Sequence, residues 1–226
     1  MGHAALKGCS RCLKSFPTES LGQKPDYSGF NRSGWPKRTT EDHKRIGISW
    51  KHAPTASKRH EIEQNHGVRF TDLLRIPYFD TVRFIVVDPM HSIFLGTAKR
   101  LVSIWKIIPD TEFDSIQGAV NEFTTAADIG RIPHKISSQF SSFTADQWKN
   151  WTLVYSLVVL KFALPRNHYE CWCIFVDMCH LLCSRALSFR NVEKVDELIV
   201  HFCQTFEHLY GSEACTPTLH LHQILN

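Results

Sequence analysis

Cys9-Ser-Arg-Cys12 has the two-residue spacing that lets two thiolates reach one tetrahedral ion from a tight turn. A redox dithiol instead needs its first cysteine at a helix N-terminus, where the dipole lowers the thiol pKa, and Leu13-Lys14-Ser15-Phe16-Pro17 is a poor helix start. Metal ligation is the favoured reading, ahead of unpaired structural thiols and of redox chemistry. Two thiolates need two further ligands. His220-Leu-His222, shortly after Cys215-Thr-Pro, would place both imidazoles on one side of an extended segment. His3 and Cys215 compete with them, and an ordinary polar chain end is the plain alternative.

A second constellation is Val87-Asp88-Pro89-Met90-His91. Proline after Asp88 stops a preceding strand, and His91 falls at the start of the following helix, so both polar groups gather at one corner. The corner suits either a carboxylate paired to an imidazole or an Asp88 that caps the helix, and geometry favours the cap. Asp80 is a further carboxylate without an evident partner. Cys171, Cys173, Cys179, Cys183 and Cys203 lie in helical patterns with apolar neighbours and read as core thiols, although the four-residue step from Cys179 to Cys183 would also suit a metal clamp. The sequence contains no Gly-rich phosphate loop, HExxH motif or nucleophile elbow.

The elements that must position these groups are mostly helical. Ile93 to Ile108 carries Phe94, Ala98, Leu101, Trp105 and Ile108 at three- and four-residue steps. Thr144 with Gln147 forms a capping-box pattern ahead of Trp148, Trp151, Tyr155, Val159 and Phe162. His168 to Leu187 presents Trp172, Val176, Cys179 and Cys183, and Val192 to Leu209 presents Val195, Leu198, Phe202, Phe206 and Leu209 before Gly211. Earlier, Thr39 to His66 reads as a polar helix broken near Pro54, and Phe70 to Ile76 as one short helical turn set. Val82 to Val87 is the one run β-branched enough to predict a strand. Gly8 to Pro36 has no period and needs an external staple. The expected organisation is a basic irregular segment over 1–69 and a helical domain over 70–226.

Composition agrees with a folded protein. Of 226 residues, 43% are hydrophobic and 12% aromatic, which excludes a disordered chain or a linker. Trp151 to Leu164 is too short to span a bilayer and is interrupted by Lys161, and the first residues have no signal-peptide core, so a soluble intracellular protein without membrane contact is expected. The net charge of +4 is uneven: residues 1–69 hold 13 of the 26 Lys and Arg but only 6 of the 22 acidic residues. A basic segment ahead of a weakly acidic remainder suits contact with a polyanion, most economically nucleic acid, or simply a solvated basic face.

Several strings together resemble one family, the transposases of CACTA-type mobile DNA elements, in the branch of transposase domain-containing proteins. They are Gly8-Cys9-Ser-Arg-Cys12-Leu-Lys-Ser-Phe16-Pro17, Tyr27-Ser-Gly-Phe30, Asp88-Pro-Met-His91 with Phe94-Leu-Gly96-Thr-Ala-Lys99, and Gly130-Arg-Ile-Pro133. Phe143-Thr-Ala-Asp-Gln-Trp-Lys-Asn-Trp151, His168-Tyr-Glu-Cys-Trp172 and Cys215-Thr-Pro-Thr-Leu-His220-Leu-His222 follow in the same order along essentially the whole chain.

The resemblance implies a mainly α fold, the helical insertion region of an RNase H-like DDE transposase core. In that family three carboxylates hold two divalent ions, Mg or Mn, for DNA strand cleavage and transfer. The family pattern places two of those aspartates before the Cys pair and the glutamate beyond the His-rich segment, so the chain alone is expected to lack catalytic activity. By analogy with the related recombinase of antibody gene assembly, Cys9, Cys12, His220 and His222 would share one structural zinc that joins the ends of the insertion. Asp88 and His91 match the Asp-x-x-His signature that accompanies the catalytic site. Ser92 stands where the family usually has Asn, and Ile224 where many members carry another His. Nuclear localisation and a DNA partner, with a possible homo-oligomer, follow from the same resemblance.

On this reading Arg32, Lys37, Arg38, Lys44, Arg45, Lys51, Lys58 and Arg59 contact DNA phosphates. A competing enzyme reading lets Asp80 and Asp88 build a metal site for nuclease or transposase chemistry. A third makes the aromatic helices a repurposed protein-interaction module.

Overall fold

The computed structural model describes residues 4–18, 24–105, 110–124, 129–130, 136 and 140–224. The chain divides into two compact units, Met1–Val87 with Ser212–Leu225, and Asp88–Gly211. The division falls at Val87 and not at residue 69, and the last residues return to the first unit. The described residues are mainly helical.

In the first unit, α1 (Thr40–Lys51) and α2 (Ala56–His66) form a helical pair. Their ends are local chemistry. The Thr39 and Thr55 hydroxyls accept from the N–H groups of Asp42 and Lys58, and Gly67 ends α2 in the left-handed region at φ 66°. A short 3-10 turn covers Asp72–Arg75. The irregular segment before α1 is tied down by separate contacts. Leu6 N–H donates to Gln64 O at 2.7 Å, Phe16 N–H to Leu6 O at 2.7 Å and Leu13 N–H to Pro36 O at 2.8 Å. Lys14 supplies a further anchor. Its ammonium donates to the carbonyls of Ser28 and Gly29 and lies 4.5 Å from the Trp35 ring, with Phe16 and Phe30 on other sides.

No strand forms over 82–87, a correction to the expected strand. Residues 81–85 turn instead, because the Asp80 carboxylate accepts from the N–H groups of Val82 and Arg83, both at 2.9 Å, and from the Thr40 hydroxyl at 2.6 Å. These bonds also give Asp80 the partners its sequence context did not show. A lone β-branched run has no ladder to join, and Val86 is left 79% exposed. The one β-bridge among the described residues pairs Cys12 with Lys37, antiparallel.

In the second unit, α3 opens as a π-helix (Met90–Ala98) and continues as an α-helix (Lys99–Ile104). Phe94, Ala98, Leu101 and Trp105 are buried as their spacing predicts, while Ile108 lies outside the described residues. After α4 (Asp110–Glu122), α5 runs through Ala145–Asn150, π-helical Trp151–Tyr155 and Ser156–Leu160. Its capping box is formed in both directions between Thr144 and Gln147. The helix stops before Phe162, which is 89% exposed rather than on the buried stripe.

α6 (Arg166–Leu182) packs along α7 (Phe189–Tyr210), with the Phe175 and Phe202 rings 5.1 Å apart. On α7 the buried line passes through Val195, Ile199, Phe202, Cys203 and Phe206, one position round from the expected Leu198 and Leu209. Two core indoles are paired: Trp172 Nε1 donates to Ser156 Oγ at 2.8 Å and Trp105 Nε1 to Tyr210 OH at 2.9 Å. Back in the first unit, α8 (Pro217–His222) begins at a Thr216 cap with proline at its first position.

Candidate metal centre

Three of the four expected ligands converge. The Cys9 and Cys12 sulfurs and a ring nitrogen of His220 all lie within 4.8 Å of one another, and all three residues are buried. The Cys12 Sγ to His220 Nε2 distance is 3.3 Å. A tetrahedral zinc with bonds near 2.3 Å to sulfur and 2.0–2.1 Å to nitrogen sets S···S at about 3.8 Å and S···N at about 3.6 Å, so small adjustments would seat an ion. Neither cysteine is in a disulfide.

Three pieces of chain build the cluster. The Cys9–Cys12 turn is drawn tight by the Arg11 N–H, which donates to Cys9 Sγ at 3.3 Å. The stretch Pro36–Arg38 lies beside it, with Arg38 N–H donating to Arg11 O at 3.0 Å. α8 then brings in His220, whose ring is held by Trp35 at 4.6 Å and by the edge of Phe16 at 4.8 Å, while Tyr27 stacks on Phe16 at 4.3 Å. Burial and the nearby Cys9 charge push the Tyr27 hydroxyl up to about 12, so it stays protonated. This aromatic wall excludes water from the ligands.

The thiol electrostatics suit a cation. A hydrogen bond from Cys12 is the main cause that lowers the Cys9 thiol to about 4, with His220 and the Arg11 N–H contributing against the opposing effect of burial. Cys12 is pushed up, first by that same bond and then by burial, and so holds the shared proton. A divalent ion held by both sulfurs would displace a proton from Cys12. Donor types, burial and spacing all fit zinc.

His222 does not join the group. The expectation of a shared face assumed extended backbone, but Pro217–His222 is helical, and a two-residue step on a helix turns the side chain by about 200°. His222 is fully buried in its own surroundings. Cys215, buried just before α8, is not within the cluster either, and His3 lies outside the described residues. Among the described residues no fourth Cys, His, Asp or Glu completes the set.

The basic residues fare unevenly. Arg38 is 3% exposed and its guanidinium is engaged by backbone carbonyls, which removes it from the phosphate-contacting set. It carries too many local acceptors within reach to face solvent, a fact that composition could not reveal. Lys37 and Lys44 form no ion pair among the described residues, whereas Arg45 pairs with Asp42 and Lys58 with Glu61, each at 2.8 Å. Lys51 sits 4.2 Å from the Phe70 ring, Arg59 lies over Trp50, and Arg32 donates to Gln223 O at 3.3 Å.

In the second unit, Asp88 accepts from the Met90 N–H at 2.8 Å and from His91 Nδ1, at the start of α3. The His91 bond, then that of Met90, holds the Asp88 carboxyl below the usual carboxylate range. Both side chains are exposed, and among the described residues no further carboxylate joins them in a metal-ligating group. Cys171, Cys179 and Cys203 are buried, with burial raising the Cys171 thiol to about 12 and Cys179 well above its ordinary value, as core thiols should be. Cys183 is exposed at the end of α6.

No helix among the described residues is long and apolar enough to cross a membrane. Comparison with known proteins returns no matching family model, no matching curated protein and no matching solved structure.

Proposed function

We propose that the chain is a transposase-derived piece of the CACTA type, a helical insertion region that binds zinc and contacts DNA in the nucleus but does not cleave DNA by itself. The observation that carries this reading is the meeting of Cys9 and Cys12 with His220, more than two hundred positions later, in one buried cluster. When bound, zinc supplies a covalent-strength tie between the two ends of the chain and thereby folding energy. Chemistry on DNA would require acidic residues beyond Asp88, with Mg or Mn, that the resemblance places outside this stretch.

DNA contact rests on the residues that remain accessible in the basic segment, Arg32, Lys37, Lys44, Arg45, Lys51, Lys58 and Arg59. Titration against duplex DNA is expected to show sequence-independent binding whose log K falls by about 0.9 for each phosphate contact per decade of salt. Affinity that is absent at low salt, or indifferent to salt, sinks the DNA part of the reading. Mg- or Mn-dependent strand cleavage abolished by Asp88→Ala would replace it with the active-enzyme reading.

A second reading has an observation of its own. Phe162 and Phe189 are 89% and 93% exposed in the second unit, together with Leu187 and Val158. Such aromatic exposure suits a protein-interaction module or self-association, and a concentration-dependent mass without DNA would favour it.

A further inference from the structure

Arg38 holds a position unlike that of any other cation among the described residues. Its backbone N–H donates to Arg11 O, inside the Cys9–Cys12 turn. Its side chain then reaches back across the turn: Nε donates to Cys9 O at 2.9 Å, and Nη2 to Lys7 O at 2.7 Å and to His66 O at 3.2 Å. One guanidinium thus fastens the carbonyl of the first ligand residue to the stretch before it and to the last residue of α2. Arg38 makes no ion pair with a carboxylate among the described residues, and it is buried.

A buried guanidinium is stable where its donors are met, and here Nε and Nη2 meet three backbone carbonyls of the turn and its neighbours.

We propose that Arg38 is the positioning residue of the metal centre, a guanidinium that locks the Cys9–Cys12 turn in its ligating conformation through the Cys9 carbonyl. It touches no metal and supplies no ligand. The role rests on the zinc reading and adds a residue to it. A fork of planar donors is needed to serve three carbonyls at once, so lysine, which keeps the charge but loses the fork, is only a partial substitute.

The test uses the full chain and competition with a chromophoric chelator for zinc, with cobalt substitution to read the ligand set. Arg38→Met is expected to weaken zinc binding by about 10- to 100-fold and Arg38→Lys by less, the range found when groups behind metal ligands are removed. Both variants should retain the thiolate-to-cobalt charge-transfer band, since the ligands are unchanged. Arg75→Met, at an exposed arginine of the Asp72–Arg75 turn, serves as the control and should bind as the wild type does. If Arg38→Met fails to fold, Arg38→Lys decides. Wild-type zinc affinity in Arg38→Lys, or in a folded Arg38→Met, overturns the positioning role while leaving the zinc centre intact. A wild-type chain that takes up no zinc overturns the centre and the role together.

Discussion

At the scale of single residues, His220 and His222 are the sharpest case of two like side chains with unlike work. Both are buried, yet only His220 stands in the cluster with the cysteine pair. His220→Ala should abolish stoichiometric zinc uptake, while His222→Gln should leave uptake intact, as read by metal analysis after gel filtration; equal loss in both would restore the four-ligand set. The sequence marks the Cys pair because a two-residue spacing suits one tetrahedral ion, although structural thiols and redox dithiols share it. It cannot separate the two histidines, because that depends on whether residues 217–222 are extended or helical. His43 gives a second residue-level expectation. Burial, with the Arg38 charge behind it, lowers its pKa from 6.5 to about 4, and it shares a cavity of about 610 Å³ with His60, Glu63 and Arg69. Above pH 6.5 the imidazole is neutral in folded and unfolded chains alike. As pH falls from 6.5 to about 4 the unfolded chain takes up the proton first, so stability declines, by on the order of 2 kcal/mol, and then levels off. Denaturant titrations across that window should show a shallower decline in His43→Leu.

At the scale of elements, helices whose apolar residues recur at three- and four-residue steps were legible, since Phe94 to Trp105 and Val195 to Phe206 face a core on one side. The cap pattern of Thr144 and Gln147 was legible for the same reason, as its chemistry is local. What escaped lay outside those patterns. Residues 82–87 have strand composition but no partner, and the Asp80 carboxylate organises a turn there. The π-helical openings of α3 and the π-helical middle of α5 leave no mark in a three- or four-residue pattern. Gly67 shows how closely α2 is joined to the segment that carries the cysteine pair. At φ 66° it adopts a conformation that side chains resist, and an added Cβ would meet Gly8 Cα at 3.2 Å and Lys7 O and Ala5 Cβ at 3.3 Å. Gly67→Ala should lower the stability of the chain by about 1–2 kcal/mol, measured by denaturant unfolding. A change within 0.3 kcal/mol, on the order of a neutral surface substitution, would show that this junction is slack.

At the scale of the whole molecule, the charge asymmetry and the cysteine pair belong to one unit, Met1–Val87 with Ser212–Leu225. Closing a loop of some two hundred residues is entropically unfavourable, and a metal tie between Cys9, Cys12 and His220 would offset that cost. Arg38 lies in the interior of this unit, which leaves fewer candidate phosphate contacts and would give a smaller salt slope than composition suggests. The central claim is therefore a zinc held by residues from both ends of the chain. Metal analysis with X-ray absorption at the zinc edge tests it most directly. About one zinc per chain is expected, with two sulfurs at about 2.3 Å and nitrogen at about 2.0 Å, lost when Cys9 and Cys12 are both changed to serine. Full zinc retention in that double variant, or a zinc shell without sulfur in the wild type, would contradict it.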